Sequence, residues 1–173
     1  KRMTYTCGYW KDAKTLDEAQ EAKLDLICRK LKLKPGMRVL DIGCGWGLTG
    51  LFLAKEYGAQ VTGIDIDASV APFLGLQASI NDCQIDFQTR GFESLSAEEL
   101  TAFSTIVGTD ICFWDELTEP LFELIGLALE SGVERIMIAD PGRPPFWDLV
   151  DLCMQNFAAE VVTRRIYQPW KTE

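Results

Sequence analysis

The chain has 173 residues, about one domain's worth, with 26 acidic and 17 basic side chains and a net charge of −9. It is globular in composition, 47% apolar and 25% charged, and large enough to hold a core without disulfides or metal. A pI near 4.6 excludes a chain built to neutralise nucleic-acid phosphates, and no apolar run reaches the ~18 residues of a membrane span.

Residues 1–14 begin with Lys-Arg but have no apolar core behind them, so no secretory signal is expected. Thr15-Leu-Asp-Glu18 is a capping box, and Leu24, Ile27, Cys28 and Leu31 recur at helical spacing, which predicts an amphipathic helix over 16–32. Pro35-Gly36 turns the chain. Val39–Ile42 reads as a strand, followed by the run Gly43, Gly45, Gly47 and Gly50, then a helix over 48–57 ended by Gly58. Val61–Asp65 is a second strand, followed by a helix with Pro72 near its start. Strands at Ile85–Thr89 and Thr105–Gly108 come next, then a helix opened by Pro120 and ended by Gly132. The apolar run Arg135–Ala139 is the fifth strand, as for a strand covered on both faces. A helix from about Pro145 to Ala158 and a sixth strand, Glu160–Tyr167, complete the series. Strands alternating with helices predict a doubly wound, mostly parallel α/β sheet. Residues 1–173 form one domain, with 1–34 as a helical arm covering the site.

In such sheets ligands bind beyond the carboxyl ends of the strands, where strand order reverses. The loop Asp41-Ile-Gly-Cys-Gly-Trp-Gly47 falls there, and the helix after it aims free N–H groups at whatever is bound. Three alternating glycines and two strand-end acids, Asp41 and Asp65, exceed what a bare turn needs. Gly45-Trp-Gly-Leu-Thr-Gly50 also matches G-x-G-x-x-G, with Asp65 at the offset of a dinucleotide binder's ribose acid. Asp41 decides between the two ligands. Placed at the mouth of the site, its carboxylate repels a pyrophosphate and attracts the ammonium of S-adenosylmethionine. The expected cofactor is therefore S-adenosylmethionine, leaving as S-adenosylhomocysteine.

Leu40-Asp-Ile-Gly-Cys-Gly-Trp-Gly47 resembles motif I of the class I S-adenosylmethionine-dependent methyltransferases, whose fold is Rossmann-like. Residues 1–47, with Tyr5-Thr-Cys-Gly-Tyr-Trp10 and Leu33-Lys-Pro-Gly-Met-Arg-Val-Leu40, resemble the cyclopropane-fatty-acyl-phospholipid synthases. That resemblance implies that Tyr5 and Thr6 close over the cofactor and that Cys7 helps hold a bicarbonate. The family's Glu-His motif after the fourth strand is absent. Residues 61–147 resemble family-16 protein methyltransferases, especially the electron-transfer-flavoprotein β-subunit lysine methyltransferases: Gly63-Ile-Asp-Ile-Asp67, Asp110-Ile-Cys-Phe113 and Asp140-Pro-Gly-Arg-Pro144 carry the likeness. The resemblances imply cofactor contacts from Tyr5, Thr6, Asp41, Gly43, Cys44, Gly45, Trp46, Gly47, Asp65, Ile66, Phe92, Glu93 and Asp110. A seventh strand has only residues 168–173 to form from, so Met3–Trp10 or a partner subunit is expected at that edge, or the sheet ends at six strands.

Methyl transfer from a sulfonium needs an in-line nucleophile at about 3–3.5 Å and little acid–base help. Asp110 is the expected catalytic residue, orienting an amine, with Phe113 and Trp114 as walls. Arg143 either binds substrate or pairs with Asp140. The lack of histidine excludes Ser-His-Asp and Cys-His catalysis. Six cysteines without a CxxC pair make a metal site unexpected and suit a reducing cytoplasm. The expected activity is methyl transfer to a nitrogen, on a protein lysine or a small amine. The alternatives are a lipid-modifying relative of the cyclopropane synthases and a silent cofactor-binding module. No nucleic-acid or stable membrane partner is expected, and self-association stays open.

Overall fold

A computed structural model describes residues 9–163. Helix α1 (Leu16–Leu31) starts at the capping box, where the Glu18 amide donates to Thr15 Oγ1 and the Thr15 amide to Glu18 Oε2. It leads into β1 (Arg38–Ile42), α2 (Leu48–Tyr57), β2 (Gln60–Asp65), α3 (Ala71–Ile80), β3 (Asp86–Thr89), α4 (Ala97–Leu100), β4 (Thr105–Thr109), α5 (Thr118–Glu130), β5 (Arg135–Ala139) and α6 (Pro144–Asn156). The five strands form one parallel sheet in the order β3-β2-β1-β4-β5. The fold is the doubly wound one expected, and most elements fall within a residue or two of their expected bounds.

Two differences concern the ends of elements. The single turn α4 was not expected, because four residues are too short to show periodicity. It is nonetheless fixed by a capping box, with Ser96 Oγ accepting from the Glu99 amide and Glu99 Oε2 from the Ser96 amide. The expected sixth strand begins at Glu160, but residues 160–163 are irregular, and its remainder lies outside the described residues. Among the described residues no strand pairs with the outer edge of β5.

Strand alternation divides the core. Val39, Val61 and Val107 face Leu24 and Leu31 of α1 and Phe52 and Leu53 of α2. Leu40, Ile42, Ile64 and Ile106 face Leu121, Leu124, Ile125 and Ala128 of α5 and Leu149 of α6. Chain order runs outward from β1 to β3 on one side and from β4 to β5 on the other, so the reversal falls between β1 and β4. That puts the loop after β1 in the crevice where such sheets bind ligands. Leu121, 1% exposed at the centre of the α5 face, tests this packing: Leu121→Ala is expected to lower the unfolding free energy by about 3 kcal/mol in urea denaturation.

Candidate functional site

The loop after β1 is shaped by Gly43, Gly45 and Gly47, all in the left-handed region at φ 60, 51 and 74°. At Gly43 a side chain is also excluded by space, since a Cβ there would lie 2.7 Å from Ile111 Cγ2. The Cys44 amide donates to Ile64 O of β2 (3.1 Å), and the Gly47 amide to Cys44 O (2.9 Å). The neighbouring strand must give way, and it does so at Gly63, where a Cβ would stand 2.9 Å from Cys44 Sγ. Cys44 is therefore a packed filler, and burial pushes its thiol well above the ordinary range. At the N-terminus of α2 Gly47 provides no side-chain cap and the first turn carries no acid of its own.

Asp65 ends β2 and binds the loop directly. Its Oδ2 accepts from the Gly45 amide (2.9 Å) and its Oδ1 from the Asp67 amide (3.0 Å). Next to it Ile66 projects into solvent, 77% exposed. A Cβ on Gly91 would be 3.2 Å from Ile66 Cγ2 and would collide with Glu93 Oε2, so Ile66, Gly91 and Glu93 share one corner. Phe92 and Glu93 open the short 3₁₀ turn there. Arg90 secures that turn, with its amide on Asp65 O and its guanidinium on Ser94 and Glu99. Trp46, exposed at the loop tip, stacks on Phe73 of α3 with centroids 5.0 Å apart. The expected contacts Gly43, Cys44, Gly45, Trp46, Gly47, Asp65, Ile66, Phe92 and Glu93 thus line one side of the carboxyl edge. Tyr5, Thr6 and Cys7 lie outside the described residues.

Asp41 is placed differently from the expectation. It is not at the mouth but inside, 1% exposed. Alternation along β1 sends residues 39 and 41 toward α2, so Asp41 Oδ2 accepts from the Gly50 amide (3.1 Å) in the first turn of that helix. Its Oδ1 is buried with no hydrogen-bond partner among the described residues. Burial, opposed by the Gly50 bond and reinforced by the Asp65 charge, pushes its carboxyl up to about 7.

At the ends of β4 and β5 a second group of side chains converges. Asp110 has a left-handed backbone, φ 63°, and its amide donates to Ala139 O (2.7 Å). The Arg143 guanidinium pairs with the Asp110 carboxylate and with Asp140 Oδ2 (2.6 Å), and its Cζ lies 4.4 Å from the centroid of Phe113. Asp110 is therefore an ion-paired carboxylate that shares the Arg143 guanidinium with Asp140, not the free acid that the sequence suggests. Phe113 and Trp114 are exposed, as walls would be. Both alternatives weighed for Arg143 missed its link to Asp110, since residues 110 and 143 meet only through the pairing of β4 with β5.

The sequence pattern of the family described as "Mycolic acid cyclopropane synthetase" matches residues 1–90, which include the glycine loop, Asp65 and Ile66. The chain belongs to the mycolic acid cyclopropane synthetase family. Its relatives include the cyclopropane-fatty-acyl-phospholipid synthase of Escherichia coli K12, 59% identical over 66 residues, 38% of this chain and 17% of that protein. Another is cyclopropane mycolic acid synthase 2 of Mycobacterium leprae, 50% identical over 68 residues, 39% of this chain and 22% of that protein. Among solved structures, mycolic acid cyclopropane synthase CmaA1 complexed with SAH and CTAB superposes with a TM-score of 0.60 at 31% identity, covering 73% of this chain and 45% of that one. Coclaurine N-methyltransferase bound to N-methylheliamine and SAH gives 0.60 at 25% identity, covering 71% and 38%. The chain spans less than a quarter of the length of these curated relatives. The fold of this family member is the Rossmann-like one of class I methyltransferases.

The buried acid gives a measurable consequence. The carboxyl of Asp41 sits near 7 in the folded protein against 3.8 ordinarily, so the folded state holds the proton more tightly than the unfolded chain. The stability this adds is complete below about pH 4 and is lost as pH rises to about 7. Asp41→Asn keeps an acceptor for the Gly50 amide and removes the charge. Relative to wild type, its unfolding free energy should climb between pH 4 and 7, by on the order of 4 kcal/mol in total, and then level. A flat difference across that range would show that Asp41 does not titrate there.

Proposed function

We propose that this chain is an S-adenosylmethionine-dependent methyltransferase of the cyclopropane-synthase type, with the unsaturated acyl chain of a lipid as its methyl acceptor. The observation that carries the reading is the family match over residues 1–90, which spans the loop whose glycines approach β2 and the acid that fastens it. The relatives are named for acyl-phospholipid and mycolic acid substrates, and that favours a lipid over the nitrogen acceptor expected from residues 61–147. The ion pair of Asp110 with Arg143 also favours this reading, since it engages the carboxylate that an amine acceptor was expected to use.

The residues fit the cofactor. S-adenosylmethionine supplies an electrophilic methyl group on a sulfonium. The N-terminus of α2 and the glycine loop admit its methionine end closely. Asp65 offers its remaining lone pairs to the ribose hydroxyls, and Ile66 with Phe92 and Glu93 forms the corner for the adenine. Asp41 lies beneath the loop and makes no contact there; in its ionised form its charge acts through a medium that screens it less than water does. Toward the acceptor the chain presents exposed aromatic surface, Phe113 and Trp114, which suits an apolar chain that needs positioning more than proton transfer.

The deciding experiment incubates the protein with methyl-labelled S-adenosylmethionine, vesicles of monounsaturated phospholipid and a protein extract, then separates the classes. Label in the lipid fraction supports the proposal. Label in protein restores the nitrogen acceptor, and binding of S-adenosylhomocysteine without any transfer identifies a silent binding module.

A further inference from the structure

We propose that Arg143 is a positioning residue. By bridging the Asp110 and Asp140 carboxylates while lying over the Phe113 ring, it holds the aromatic wall beside the glycine loop in the orientation that receives the acceptor. The geometry stands by itself; its consequence for turnover rests on the methyl-transfer reading above.

Three observations converge on this assignment. The first is the number of partners. Arg143 reaches Asp110 on the β4 loop and Asp140 on its own loop, and Asp140 Oδ1 in turn accepts from the Gly142 and Arg143 amides (2.8 and 2.9 Å). Two carboxylates at adjacent strand ends repel each other unless a cation lies between them, and a planar guanidinium can serve both and still present a face to a ring. The second is backbone conformation. Among the described residues, Lys32, Asp82 and Asp110 are the non-glycine residues at positive φ. Lys32 and Asp82 follow the ends of α1 and α3, where a left-handed residue commonly closes a helix. Asp110 follows a strand, and such a conformation persists only where surrounding contacts impose it. Here those contacts are the Asp110 amide on Ala139 O and the Arg143 ion pair.

The third is location. Ile111, next to Asp110, is the side chain that fills the space over Gly43, so the β4 loop abuts the glycine loop. Phe113, two residues further on, is half exposed and makes no ring–ring contact among the described residues; its ring is met by the Arg143 guanidinium. Trp147 packs near Gly142, with Nε1 3.5 Å from where a Cβ would be, and it stacks edge-on with Phe146, which stiffens the loop that carries Arg143.

The test reads position and turnover separately. In protein labelled with 4-fluorophenylalanine, the Phe113 signal is assigned by its loss in Phe113→Leu. Arg143→Gln should shift that signal while leaving most others in place, with the affinity for S-adenosylhomocysteine, by calorimetry, within about twofold of wild type. If Arg143→Gln does not fold, Arg143→Lys, which keeps the charge but lacks the planar fork, is read in the same way. A Phe113 signal indifferent to the Arg143 substitution overturns the proposal. In methyl transfer to monounsaturated phospholipid vesicles, Arg143→Gln and Phe113→Leu should each lower kcat/KM, on the order of tenfold to a hundredfold. The double variant should fall no further than the worse single one; losses that multiply overturn the proposal. A wild-type protein that transfers no methyl to any acceptor defeats the methyltransferase reading instead, and the fluorine signal still decides the positioning role.

Discussion

The hydrogen bond from the Gly45 amide to Asp65 is the contact on which the site depends. It joins the loop after β1 to the end of β2, and it forms because Gly63 has no side chain to hold Cys44 away. With the loop drawn against β2, the first turn of α2 points over the crevice between β1 and β4. Ile66 and the turn at Phe92 then fall beside the same carboxylate, because the Arg90 amide ties the end of β3 to Asp65 O. One acid at a strand end thus sets the relation of three loops. It can do so because parallel strands bring all their carboxyl ends to one edge.

Much of this was legible in the sequence, for a physical reason. The apolar run Arg135–Ala139 marks a strand even though β5 is only half-buried at the sheet edge, and helices bounded by Thr15, Gly58 and Gly132 carry their own start and stop chemistry. The glycine loop was legible because left-handed backbone leaves few choices of residue. What failed was local pattern without tertiary context. Glu160–Tyr167 has the alternation of a strand, yet its described part, residues 160–163, is irregular, since β propensity describes how a residue fits a neighbour more than a preference of its own. The contact between Arg143 and Asp110 had no sequence signal at all. It arises from the register Thr109↔Ala139, which places the two loops side by side.

Asp41 shows how one rule, applied or omitted, changes a functional reading. Its position before the glycines suggests a carboxylate at the mouth of the site. The pleat instead turns it under α2, in line with Val39, while Leu40 and Ile42 face the opposite layer. Buried there with one oxygen bonded to Gly50 and the other to none of the described residues, it is costly as an anion and so takes up a proton readily. A cationic ligand on the loop above favours the ionised form, so uptake of such a ligand and loss of that proton are linked near neutral pH.

The two sides of the carboxyl edge divide the chemistry between them. Around the glycine loop the polar groups are backbone amides and strand-end acids, whose positions hardly vary once the turn is made. At β4 and β5 the groups are side chains, and a carboxylate that stood free would attract a cation or an amine. Arg143 pairs with both carboxylates and lies over the Phe113 ring, so this side carries aromatic surface next to a shared ion pair rather than a free carboxylate. An acceptor selected by such a wall is recognised by shape and apolar contact, which supply orientation but no proton. This suits transfer of an already activated methyl group. It also explains why a chain without a single histidine can be expected to catalyse it.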